Sequence, residues 1–226
     1  MKKLTTISLV LLLISTMVAK PTKNKTMGNQ ETTLVTKTQS IANVTTLDVS
    51  KFAAVEIEYS NENTITIITN EHNQNDVKAE TSGNQLKLYV VSSNTTVSKK
   101  TKKVNINNAN INTTRAIIKT NQINTISLDK VASFTSNNAY QSTNFSLTTT
   151  ATAKINLNIN CDNLNINTQS TSNIDLTETT KKSTIVVKST NKLDMTSLES
   201  ETTEVYISSC NKHLYKEKTL WHTSRV

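Results

Sequence analysis

The side chains able to do chemistry are few in this chain, and they are scattered. Its three histidines are His72, His213 and His222. None sits at a spacing that would hold a metal or complete a nucleophile–base–acid set. Cys161 and Cys210 likewise have no histidine or carboxylate at ligand-like spacing. Asp162, Asp175, Glu178 and Asp194 fall near expected turns, where a short acid usually bonds backbone. Two glycines, Gly28 and Gly83, are too few for a glycine-rich phosphate loop. β-Helical polysaccharide-cleaving enzymes do set acids and bases along outward strands, but no such cluster stands out here. The residues therefore point away from an enzyme. No catalytic, metal or cofactor-binding residue is assigned, no cofactor is implied, and the binding residues stay unassigned.

Charge narrows the partners. The formal net charge is +8. The basic residues are spread along the chain, with one cluster at Lys99, Lys100, Lys102 and Lys103. Aromatic residues make up 4% of the chain, too few for base-stacking platforms, so nucleic acid is not expected as a partner. Tyr140, Phe134 and Trp221 are the aromatics whose placement matters, and core or tail positions suit them better than recognition.

The first residues read as an export signal. Lys2 and Lys3 precede the apolar run Leu9-Val10-Leu11-Leu12-Leu13-Ile14, and cleavage after Ala19 fits the pattern. The run is short for a membrane-spanning helix, so no transmembrane segment is expected after cleavage. Loss of Lys2 and Lys3 would leave 23 basic against 17 acidic residues, a net charge of +6. The expected location is the periplasm or the cell surface and extracellular space. In such an oxidising compartment a Cys161–Cys210 disulfide is chemically permitted, but the two residues follow different strand types several segments apart.

Ser, Thr and Asn together make up about 40% of the chain, and hydrophobic residues 35%. So polar a chain cannot fill a thick core. It can fill a thin one if stacked segments each contribute a few aliphatic side chains. With two glycines and one proline, Asn is the expected turn former. Val55, Ile57 and Tyr59 alternate with Glu56 and Glu58; Ile65, Ile67 and later Leu86, Leu88, Val90 repeat the alternation. These read as strands with one buried face, linked as hairpins or a meander.

From Val104 onward the pattern becomes periodic. Ile126/Leu128, Phe145/Leu147, Leu164/Ile166, Ile185/Val187 and Val205/Ile207 follow one another at steps of 19, 19, 21 and 20. Ile155/Leu157, Ile174/Leu176 and Leu193/Met195 form a second series at steps of 19 and 19. Two short strands per period of about twenty predict a right-handed β-solenoid, or β-helix-like stack, preceded by antiparallel strands. The expected organisation is a signal at 1–19, a polar linker or first strand at 20–46, the solenoid at 47–215 and an irregular tail at 216–226.

The stretch from Asn163 through Ile166, Ser170-Thr171-Ser172-Asn173 and Ile174 to Leu176 resembles the repeat unit of the auto-transporter adhesin head GIN domain family. Further turns of this kind read Ser189-Thr190-Asn191-Lys192 and Ser208-Ser209-Cys210-Asn211, and Leu47 to Leu88 is similar to the family's opening strands. The resemblance implies an exported bacterial protein with a β-solenoid-like fold. It carries over no binding residue. Thr or Ser stands where the family's turns hold glycine, and the tail from Lys212 lacks the family's final strand. The expected role is a non-catalytic, adhesin-like surface module for a carbohydrate or an envelope protein. The alternative is an envelope scaffold without a specific ligand. A contiguous strip of Asn, Thr and aromatic side chains would favour the first, dispersed polarity the second. The oligomeric state stays open.

Overall fold

The computed structural model describes residues 33–91, 114–171 and 173–215. They form fourteen β-strands in one continuous curled sheet, with a short 3-10 turn at Glu71–Asn73. The opening strands are β1 (Leu34–Ser40), β2 (Thr46–Ser50), β3 (Ala54–Glu58), β4 (Thr64–Asn70), β5 (Val77–Ser82), β6 (Gln85–Val90) and β7 (Arg115–Lys119). The coils follow as β8 (Thr125–Asp129), β9 (Ser133–Ser136), β10 (Tyr140–Thr150), β11 (Lys154–Gln169), β12 (Asn173–Lys188), β13 (Thr190–Ile207) and β14 (Cys210–Tyr215). The coils stack in parallel into a β-solenoid of about four turns.

Stacking places like residues above one another. One column runs Leu86, Leu47, Ile126, Leu147, Ile166, Ile185, Val205. A second runs Ile67, Ala116, Val55, Phe134, Ile155, Ile174, Leu193. All but Ile67 are essentially inaccessible to water. Fully burying one such aliphatic side chain is worth about 1.5–3 kcal/mol. No coil can bury its own set, so the columns hold the stack together.

The period holds, but the register differs at the first step and again at the third, where Leu164 lies against Ser183 and Ile185 against Ile166. Ile126 lies against Leu147, not Phe145, and Phe145 against Leu164. The steps in this column are therefore 21, 19, 19 and 20. Two insertions account for this. Phe134 and Tyr140 are six residues apart, whereas their partners Ile155 and Ile159 are four apart, so the first coil carries two extra residues at Asn137-Asn138. A bulge in β13 beside Asp175 and Thr177 adds one more. Aliphatic pairs alone mislead because a third inward position follows Phe145/Leu147 and Leu164/Ile166. Thr149 and Thr168 fill it, aligned with Leu128 below and Val187 above.

Each coil turns on a residue with left-handed backbone: Lys51, Lys130, Ala151, Ser170 and Ser189. Among the described residues, only Asn43 and Asn63 of the eight non-glycine residues with positive φ are asparagines, so asparagine is not the main left-handed turn former there. The corners are held by stacking instead. The amides of Lys130, Ala151 and Ser170 each donate to a carbonyl of the next coil at 3.0 Å. Most asparagines described here face outward and bond between coils, as Asn163 does to Asn144 at 2.8 Å and Asn211 to Asn191 at 3.1 Å.

Antiparallel strands close one end of the stack, β5 on β6 and β1 on β4. The stretch before Leu47 adds the buried residues Ile41 and Val44 to the core. At the other end, the segment from Lys212 does form a strand: it is the body of β14. The signal, the Lys99–Lys103 cluster, His222 and Trp221 lie outside the described residues. No described helix is long and apolar enough to cross a membrane.

Candidate functional site

In β10 to β13 the strand bends between its inward columns, and a small residue sits at each bend. Ser142, Cys161, Thr180 and Ser200 stack in register. Three of them bond the carbonyl two residues on: Ser142 to Asn144 at 2.7 Å, Thr180 to Lys182 at 3.0 Å and Ser200 to Thr202 at 2.8 Å. Such local side-chain bonding is what Ser and Thr favour where a strand must turn. Cys161 is the exception, donating its thiol to the Thr180 hydroxyl at 3.8 Å.

The stacked bends form the floor of an open groove of about 1000 Å³. Gln141, Asn160, Thr179 and Glu199 rise on one side; Thr143, Asp162, Lys181 and Glu201 rise on the other. Tyr59, Asn121, Gln122 and Asn124 close its N-terminal end. Tyr59 was expected to point inward with Val55 and Ile57. Instead β3 ends at Glu58, and Tyr59 is 37% exposed, its ring perpendicular to that of buried Tyr140, the centroids 5.8 Å apart. The extra Asn138 clamps it: the Tyr59 amide donates to Asn138 Oδ1 at 2.8 Å, and Asn138 Nδ2 returns a bond to the Tyr59 carbonyl at 3.1 Å. Tyr140 donates its hydroxyl to the Ile123 carbonyl at 2.8 Å, and burial drives the phenol far above its ordinary range.

The groove's electrostatics are local. Lys181 pairs with Asp162 at 2.8 Å, and this bond, with Asp162's charge, raises the ammonium's pKa. Burial pushes the Cys161 thiol up, the Thr180 contact opposes this, and the charge of Asp162 adds to the rise. That thiol stays protonated at neutral pH, whereas nucleophilic attack needs thiolate. No histidine lines the groove. The arrangement offers hydrogen bonds along a line and one aromatic face; it has no activated nucleophile.

Other candidates take structural places. Phe134 and Tyr140 are core residues. His72 sits exposed in the 3-10 turn, and His213 stacks on Tyr215. Cys161 and Cys210 are free thiols. Asp162, Asp175 and Asp194 lie within long strands, not at turns, and each pairs with a lysine. Glu178 adopts a φ of 80°, which leaves its carboxylate exposed. Among the described residues, no group of His, Cys, Asp and Glu side chains could hold a metal ion.

A family model described as "Putative auto-transporter adhesin, head GIN domain" matches residues 43–218. The chain belongs to this family. Two crystal structures share the fold of this GIN-domain protein. A putative adhesin from Parabacteroides merdae superposes with a TM-score of 0.61 at 11% identity, over 85% of this chain and 92% of the other. A protein from Parabacteroides distasonis, titled a putative lipid binding protein, gives 0.56 at 14% identity over the same shares. No curated protein matches the chain.

Proposed function

We propose that this GIN-domain protein is an exported, non-catalytic binding module and that the groove over β10–β13 is its contact surface. The carrying observation is the alignment of hydrogen-bonding side chains from four successive coils along one concavity, with an aromatic residue at its end. A scaffold would need only evenly dispersed polarity. The groove's polar lining suits a ligand rich in hydroxyl or amide groups rather than an acyl chain.

The test is retention of the full chain on immobilised neutral and anionic glycans, matrix proteins and purified envelope fragments. Retention on at least one class is expected. It should be lost when Asn160 and Thr179 are both changed to Arg, which fills the groove. It should survive Thr148→Arg, on an outward face away from the groove. Failure on every class, or equal retention by wild type and groove variant, overturns the reading.

A further inference from the structure

We infer that the groove takes an extended, uncharged glycan lying along the solenoid axis, about one sugar unit per coil, with its end against Tyr59. The inference rests on the groove being the binding surface and names the chemistry of its occupant.

Direction comes first. The strands cross the groove floor, and their amides and carbonyls point along the axis into the next coil. A ligand on that axis therefore meets side chains, not a free strand edge, so a peptide gains none of the backbone pairing by which it adds to a sheet. A polyhydroxyl chain needs only side-chain partners. Every coil supplies polar side chains to the wall: amides and hydroxyls from β10, an amide and a carboxylate from β11, hydroxyls and an ammonium from β12, and carboxylates and a hydroxyl from β13.

Spacing comes second. Coils repeat every ~4.8 Å, close to the length one pyranose unit adds to an extended glycan. Four coils span about 14 Å, so successive sugars can meet polar wall residues at equivalent positions of successive coils.

Charge comes third. The lining holds Asp162, Glu199 and Glu201 against the single cation Lys181, in a chain whose formal net charge is +8. The groove is thus the wrong place for a polyanion. Carboxylates are strong acceptors for sugar hydroxyls. Tyr59, 37% exposed, with its backbone clamped by Asn138 and its ring packed edge-to-face with Tyr140, offers a held aromatic ring for the apolar face of a sugar.

The experiment is an array of linear neutral oligosaccharides of two to eight units, with polygalacturonate as the anionic arm and polylysine as the cationic arm. Calorimetry on the full chain then measures the hits. At least one neutral series should bind, with affinity rising up to about four units and levelling beyond. Tyr59→Ala should weaken it about tenfold with a fall of no more than a few degrees in melting temperature, and Tyr59→Trp should retain both binding and melting temperature. No neutral binder, tighter binding of either polyion, or affinity indifferent to chain length or to Tyr59→Ala overturns the inference. If protein-coated surfaces then retain the chain in a groove-dependent way, only the glycan assignment fails. If they do not, the binding module fails with it.

Discussion

Ser170 holds a φ of 54°, a left-handed conformation that costs an L residue about 1–2 kcal/mol. Its side chain is exposed. Ala151, one coil before it, has the same φ and is also exposed. Glycine adopts this backbone without steric cost. Ser170→Gly and Ala151→Gly should therefore each stabilise the fold by about 0.5–1 kcal/mol after glycine's entropic disadvantage. Thermal melting should rise by a few degrees for the pair; a fall would show that these corners are not strained. The need for left-handed residues was legible in the composition, but the identity of the residues was not. Asparagine tolerates the conformation best in isolation, whereas here inter-coil bonds from Lys130, Ala151 and Ser170 hold the turn whatever the side chain. Tyr59 was misread for a similar reason: alternation says which way a strand residue points only while the strand lasts, and β3 stops one residue earlier.

At the scale of the strand, outward ladders tie coil to coil. Lys192 in β13 bonds Asp194 at 2.9 Å in its own strand and Asp175 at 3.3 Å in β12. Asp194 also accepts bonds from the Thr196 hydroxyl at 2.7 Å and amide at 3.1 Å. Lys192 first, and then Thr196, hold the Asp194 carboxyl down at about 2 against an ordinary 3.8, with desolvation opposing. A depressed folded-state pKa means that the unfolded chain takes up the proton first on acidification. The stabilisation is thus complete above about pH 4 and lost as pH falls through about 2. Solvent screening limits it to about 1 kcal/mol. Urea melts of wild type and Asp194→Asn should differ by that amount near pH 6 and converge near pH 2; a gap that persists at pH 2 would remove Asp194 from the ladder's energetics. The twenty-residue beat that builds these ladders was readable from aliphatic pairs. The exact register was not, because buried Thr149 and Thr168 interrupt an aliphatic column and Asn137-Asn138 lengthens one coil. Asn138 of this insertion also clamps Tyr59 at the groove's aromatic end, so the irregularity that hid the register helps to build the site.

For the molecule as a whole, the two ends differ. Antiparallel strands seal the first, β5 lying on β6 as a hairpin and β1 on β4, from which β2 and β3 separate it in sequence. At the second, β14 hydrogen-bonds only β13 among the described residues. In a stack where each coil touches only its neighbours, stability is close to a sum of coil and interface terms, and opening can begin at an end without melting the middle. The solenoid should therefore open from β14 inward. Hydrogen exchange followed by mass spectrometry should show Cys210–Tyr215 exchanging first, then β13, with β10 and β11 protected to the global limit. Ile166→Ala, in the central column, should cost about 2–5 kcal/mol and lower protection throughout. Val205→Ala, in the last coil of that column, should raise exchange mainly in β13 and β14. The groove runs from the sealed end, where Tyr59 sits, to Glu199–Glu201 in β13. Fraying from the open end would thus remove its last wall residues while leaving the aromatic platform in place. Uniform exchange across β8 to β14, with both variants acting alike, would instead make the stack a single cooperative unit whose ends do not matter.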